Sequence, residues 1–120
     1  MKLRVRGSTL RLRLTKPEVD ALVTKGLVEE FAEFPANARL RYAVAVEGAK
    51  VSASFDSSGV VIRIPRAEAD RWRDSDEVGI EGTDGPTRIL VEKDWACVQP
   101  RSDEDPAVMY ENPRLAPKLT

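Results

Sequence analysis

Between Leu3 and Leu14, apolar and charged residues alternate. Leu3, Val5, Leu10, Leu12 and Leu14 are interleaved with Lys2, Arg4, Arg6, Arg11 and Arg13. A spacing of two puts the apolar set on one face of a β-strand and the cations on the other. The pattern therefore predicts two strands joined through Gly7-Ser8, the second over 9–14. Thr15 stands three residues before Glu18, with Pro17 between them, which is the signature of a capping box at a helix start. Val19, Leu22 and Val23 recur at helical spacing and Gly26 suits a left-handed C-cap, so a helix spans 16–25. Strands follow over 27–34 and 39–47, separated by the turn Pro35–Ala38. The second of these alternates cleanly, with Leu40, Tyr42, Val44 and Val46 inward.

The order then recurs. Strands over 51–55 and 60–64 flank the hairpin loop Asp56-Ser57-Ser58-Gly59. Pro65 opens a second helix over 66–73, with Ala69 and Trp72 toward the core. Strands over 77–82 and 87–93 flank the turn Thr83-Asp84-Gly85-Pro86. An offset of 50 lays Leu12-Arg13-Leu14 on Ile62-Arg63-Ile64, Glu18 on Glu68, Val28 on Val78 and Leu40 on Leu90 without a gap. The expected fold is α+β: a mainly antiparallel, curved or barrel-like sheet with two short helices and a ββαββ pseudo-repeat of period 50. Residues 1–99 form one domain with halves 1–48 and 49–99. Residues 100–120, with four prolines, form an irregular tail.

Composition narrows the chemistry. The chain has 120 residues, 42% of them hydrophobic and 32% charged, with 19 Lys+Arg against 20 Asp+Glu. That balance describes a globular domain with no bulk attraction to nucleic acid. No apolar run approaches the ~18–20 residues a membrane span requires, and the first residues lack a signal-peptide core. One cysteine and no histidine fit a reducing cytoplasm and leave no Ser-His or Cys-His pair and no imidazole metal site. No glycine-rich phosphate loop is present, so no cofactor is expected. Glu92 with Asp94, Asp74-Asp76-Glu77 and Asp103-Glu104-Asp105 lack the spacing of a calcium loop and read as solvated charge. Cys97 reads as a small buried apolar residue. Trp72, Trp95, Tyr42, Phe31, Phe34 and Phe55 read as core positions rather than a base-stacking platform.

Two resemblances add to this. The segments Leu12-Arg13-Leu14-Thr15, Asp76–Glu81, Arg88–Asp94 and Cys97, with Arg101–Asp105 and Asn112-Pro113, resemble a small bacterial family of unknown function. The resemblance covers most of residues 1–113 and implies a cytoplasmic single-domain protein without an assigned activity. Relatives often end in a Cys-rich tail, which this chain lacks. The run Gly59–Pro65, a short helix, Asp76-Glu77-Val78, a glycine turn and Arg88–Val91 are similar in pattern to swapped-hairpin, AbrB-like DNA-binding domains. Those work as pairs of units of about this half-length. Here, however, residues 66–94 hold five bases against nine acids, which weakens the DNA-binding implication.

The expectation is a non-enzymatic binding or interaction protein, with a protein partner or self-association favoured over nucleic acid. The alternatives are an AbrB-like nucleic-acid-binding regulator and a carboxylate-dependent enzyme. The candidate binding residues are Lys2, Arg4, Arg6, Arg11 and Arg13. A hairpin through Gly7-Ser8 would gather these five cations on one sheet face, where like charges repel unless anions neutralise them. Glu29, Glu33 and the run Asp103–Asp105 are the expected internal neutralisers.

Overall fold

The computed structural model describes residues 1–95. The strands are β1 (Lys2–Arg6), β2 (Thr9–Leu14), β3 (Leu27–Glu33), β4 (Arg39–Val46), β5 (Ser52–Asp56), β6 (Gly59–Ile64), β7 (Gly79–Asp84) and β8 (Thr87–Lys93). Helix α1 (Lys16–Lys25) follows β2, and α2 (Arg66–Asp74) follows β6. The class is α+β. The expected tail over 100–120, Cys97 and the run Asp103–Asp105 lie outside the described residues.

Local chemistry sets the helix ends. Glu18 Oε1 accepts the Thr15 backbone N–H at 2.8 Å and its hydroxyl at 2.9 Å, which closes the capping box. At the other end Gly26 takes φ 81°, and its N–H donates to the Leu22 carbonyl at 2.8 Å. Helix α2 starts after Pro65 and buries Ala69 and Trp72. The Trp72 indole N–H donates to the Val78 carbonyl at 3.2 Å, so its one polar atom is satisfied inside the core.

The strands form two four-stranded sheets, ordered β1-β2-β8-β7 and β3-β4-β6-β5. Each consists of two antiparallel hairpins joined by a parallel pair at the centre, β2 with β8 and β4 with β6. Neither sheet closes, so the barrel-like alternative gives way to two open, mixed sheets. The reason lies in the helices, which carry the chain out of one sheet and into the other. Hairpin β1–β2 must therefore find its neighbour, β7–β8, at the far end of the sequence. Side chains bridge the open edges. Asp84 of β7 accepts the Ala53 N–H of β5 at 3.0 Å, and the Met1 amino group beside β1 reaches Glu30 of β3 at 2.6 Å.

The element order β-β-α-β-β occurs twice, and β1 and β2 stand 50 residues before β5 and β6. The gapless offset then fails. Val46 pairs with Ile64, and Lys93 with Leu14, so β4 and β8 fill matching positions 47 residues apart. By the same pairing Val28 matches Ile80, 52 residues on, rather than Val78. The cause is loop length. The β3–β4 connection takes residues 34–38 with a short 3₁₀ turn at Pro35–Asn37, whereas β7–β8 turns through 85–86. Conversely, α1 enters β3 through Gly26 alone, while α2 needs residues 75–78 to reach β7. That longer link also explains why the strand expected over 77–82 begins two residues late.

One apolar cluster fills the interior. It takes Leu12, Leu14, Ile89 and Val91 from one sheet, Val44, Ile62 and Ile64 from the other, and Val19, Leu22 and Trp72 from the helices. No polar or charged residue among those described is buried. Most of the aromatic residues expected in the core are not there. Phe31 is 39% exposed, Phe34 54%, Phe55 78% and Trp95 52%. Phe31 falls on the outward parity of β3, Phe34 in the turn after it, and Phe55 near its hairpin tip.

The β5–β6 turn tests this geometry. Gly59 takes φ +93°, and a Cβ there would collide with the Arg41 carbonyl of neighbouring β4. Gly59→Ala combines a left-handed backbone penalty with a backbone clash, and its expected cost is about 2–4 kcal/mol in urea unfolding. An unchanged midpoint would show that this contact is absent.

Candidate functional site

Strand register assembles the basic face. Lys2 stands opposite Arg13, Arg4 opposite Arg11, and Arg6 opposite Thr9. Across the parallel seam Arg13 faces Glu92 and Thr9 faces Arg88. Because residues directly opposite share a face, all five sequence-predicted cations project from the outer face of β1 and β2. Arg88 joins them from β8, which sequence spacing alone could not place there. A shallow depression of about 220 Å³ lies among Lys2, Leu3, Arg4, Arg11 and Arg13.

Of the expected neutralising groups, Glu29 and Glu33 lie elsewhere, and Asp103–Asp105 lies outside the described residues. Glu29 binds Arg41 at 2.6 Å and Glu33 lies 3.6 Å from Arg39, both on the other sheet. On the basic face Glu92 serves two guanidiniums, Arg11 Nε at 3.0 Å and Arg13 Nε at 3.8 Å. These three side chains are 17–19% exposed, so this cluster is partly sunk into the sheet surface. Asp94 lies 3.3 Å from Lys2 Nζ, and Glu81 pairs with Arg88. None of Arg4, Arg6 and Arg11 is without a partner.

Among the described residues the outer face of this sheet thus carries six cations, with Glu81, Glu92 and, at the strand end, Asp94 beside them. The second sheet is balanced. Its outward Arg39, Arg41 and Arg63 each meet a glutamate, the last being Glu47 at 2.6 Å from Arg63. The even charge count of the whole sequence conceals this gathering of cations on one face.

A second constellation was not legible from spacing. The Met1 amino group lies 2.6 Å from Glu18 Oε2 and 2.6 Å from Glu30 Oε1, while the Tyr42 hydroxyl donates to Glu30 Oε2 at 3.0 Å. Burial pulls the amino pKa down, but the hydrogen bonds it donates to Glu18 and Glu30, with their negative charge, outweigh this and the net shift is upward. Burial opposes ionisation of Glu18 too, yet the amino group and the Thr15 donors lower its pKa overall. Burial and the Glu30 carboxylate together raise that of Tyr42. The capping box was the available signal for Glu18. Its second oxygen and its long-range partners depend on tertiary structure.

Among the described residues, the carboxylates considered from sequence do not gather into one site. Glu92 is held by arginines and Asp94 by Lys2. Asp74 pairs with Arg73, and Glu77 lies 3.2 Å from Arg71. Among the described residues no three acidic or other ligating side chains cluster as a metal site. Two further depressions exist. One of about 350 Å³ lies by Lys16, Asp20, Arg73 and Trp95, and one of about 500 Å³ by Phe31, Phe34, Phe55 and Arg39. No helix among the described residues is long and apolar enough to cross a membrane.

A family model described as a family of unknown function, DUF7009, matches residues 1–114. No curated protein and no solved structure matches the chain.

The amino-terminal cluster gives a pH signature. A raised amino pKa contributes stability in full below the unfolded value of about 8, and this is lost as pH rises through the native value. A lowered Glu18 pKa contributes stability above about 4.5, lost as pH falls through the native value. Glu18→Gln should therefore lose about 1 kcal/mol between roughly pH 5 and 8, a few degrees in melting temperature. The gap from the parent should narrow toward pH 3 and again toward pH 10. A constant gap across that range in thermal unfolding would contradict the ionised cluster.

Proposed function

The chain belongs to DUF7009, a family of unknown function, and from that premise we propose that it is a non-enzymatic binding module acting through the outer face of β1 and β2. Lys2, Arg4, Arg6, Arg11 and Arg13 form the contact surface, Arg88 extends it, and the partner presents anionic groups. The observation that carries this reading is the contrast between the two sheets. One outer face carries three arginines, each beside a glutamate, while on the other the strand register gathers six cations on neighbouring strands. Crowding like charges on neighbouring strands is unfavourable unless an anion is attracted there. Arg11 and Arg13, fixed by Glu92, frame the surface, whereas Lys2 is 69% exposed and reaches solvent. The single cysteine supports placing the protein in the cytoplasm.

A nucleic-acid-binding regulator is the second reading, and the exchange of hairpins favours it. One sheet takes β1–β2 from the first half and β7–β8 from the second, and the other takes β3–β4 and β5–β6. This is the arrangement that the similarity to swapped-hairpin domains implies. A carboxylate enzyme has less support, since Glu92 and Asp94 are both engaged by cations.

Titration with a fluorescent 16-base-pair duplex and with polyglutamate, at about 50 and 200 mM salt, tests both readings. Binding to either polyanion at low salt, falling steeply at the higher salt, is expected for contacts of this kind. Arg4→Gln with Arg6→Gln should weaken binding and flatten the salt dependence. A preference for polyglutamate favours an acidic protein partner, and a preference for the duplex favours the regulator. No binding to either at 50 mM overturns the basic face as an interaction surface.

A further inference from the structure

We propose that the depression at the carboxyl ends of β2 and β8 is a second binding site, for a small aromatic anion: a planar ring carrying one carboxylate or phosphate. None of the six cations of the basic outer face lines it, so it stands whether or not that face takes a partner.

Its position follows from the topology. Strands β2 and β8 run parallel at the centre of their sheet, and Leu14 and Lys93 stand side by side at their ends. There the chain departs in two directions, from β2 into α1 and from β8 through Asp94 to Trp95. Diverging connections beyond the carboxyl ends of neighbouring parallel strands leave a crevice, the usual place of ligands in open sheets. Here the crevice measures about 350 Å³, a size that suits a small molecule.

The lining supplies an apolar surface and opposed charges. Leu14 and Val19, both buried in the core, form the floor, and the half-exposed Trp95 indole forms a flat wall. Lys16, Arg73 and Lys93 stand against Asp20 and Asp94, which leaves the rim with an excess of positive charge. Some of these groups are engaged. Asp94 lies 3.3 Å from Lys2 Nζ, Arg73 Nε 2.9 Å from Asp74, and Lys93 Nζ donates to the Ser75 carbonyl at 2.6 Å. Among the described residues, the side chains of Lys16 and Asp20 make no ion pair and no hydrogen bond. A ring laid against Trp95 and the floor brings its anion to Lys16, with Lys93 and Arg73 adding attraction from behind.

The molecule contains its own comparison. The second sheet has a corresponding corner at the carboxyl ends of β4 and β6, where Val46 stands beside Ile64. Counting from the matched strands and helix starts, Arg66 and Asp70 of α2 answer to Lys16 and Asp20 of α1, and Gly48 answers to Trp95. That corner is spanned from within. Arg66 Nη1 donates to Asp70 Oδ1 at 3.2 Å and to the Val23 carbonyl of α1 at 2.7 Å. At the first corner Lys16 makes neither contact, Arg73 takes the place of Val23, and a tryptophan stands where the second has glycine. One corner is closed by its own side chains, while the other presents an indole, a cation and a carboxylate to solvent.

The two tryptophans make the site observable in the isotope-labelled full chain. Their indole N–H signals are separated by NMR and assigned with Trp95→Phe, and Trp72, held on the Val78 carbonyl in the core, is the internal control. Phenyl phosphate and benzoate are the probes, with inorganic phosphate and benzyl alcohol supplying the charge or the ring alone. A saturable shift of the Trp95 signal, without one of Trp72, is expected for at least one probe, with a dissociation constant of about 1 mM or below. The charge or ring alone should bind at least about tenfold more weakly. A response to phenyl phosphate only identifies a phosphate ester and a response to benzoate only a carboxylate, and either upholds the site. Lys16→Gln should weaken binding about fivefold through loss of one charge-assisted contact. Lys25→Gln, the same charge change at the far end of α1, should leave it unchanged. Any one of three results overturns the proposal: a Trp95 signal unmoved by either probe at about 10 mM, a part-ligand as effective as the whole, or equal affinities in Lys16→Gln and Lys25→Gln.

Discussion

Two parallel strand pairs, β2 with β8 and β4 with β6, hold the two halves of this molecule in one fold. Neither half contains a complete sheet: each supplies one hairpin to each sheet and a helix that carries the chain between them. The parallel seams join residues far apart in sequence, such as Leu12 with Val91. Their closure brings Leu12, Ile89, Val91 and Trp72 into a common core. Such long-range pairing makes folding slower than that of a chain of local hairpins.

The same seam organises the charged surface. Without β8 beside β2, Arg11 and Arg13 would oppose Lys2 and Arg4 with no carboxylate between them. Pairing Arg13 with Glu92 inserts one acid at the middle of the cluster and aligns Arg88 with Thr9 at its far end. The strand that stabilises the sheet therefore also sets how much of its charge is neutralised locally. Edge strand β1 is tied down separately, through the Met1 amino group, Glu18, Glu30 and Tyr42, which link it to α1, β3 and β4.

Local signals in the sequence identified the elements well. The Thr15–Glu18 capping box and Gly26 bounded α1, and alternation delimited β2 and β8, because each rests on interactions within a few residues. Alternation also put the five cations on one side of their strands. What it could not supply was the partner of each strand. A parallel seam has no turn to announce it, so Arg88 and the role of Glu92 were hidden, and Glu29 and Glu33 were assigned to the wrong face. The exposed phenylalanines were misjudged for a related reason. Residue type favours burial, but Phe31 has the outward parity of its strand and Phe55 sits near a hairpin tip. The Met1 cluster depended on three segments meeting in space.

The exchange of hairpins also bears on how such a chain can be divided. A polypeptide with only the elements β1 to β4 would present two sheets of two strands, each with an unpaired parallel edge. It could complete them only by embracing a second copy or the β5 to β8 fragment. The covalent link between the halves runs through residues 47–51, and around it the Glu47 N–H donates to the Ile64 carbonyl at 3.0 Å. Because both seams cross between the halves, cutting that link would leave the strand pairing intact. The one-chain protein is thus topologically equivalent to an intertwined dimer whose subunits have been fused, with the linker turning a concentration-dependent assembly into an intramolecular one.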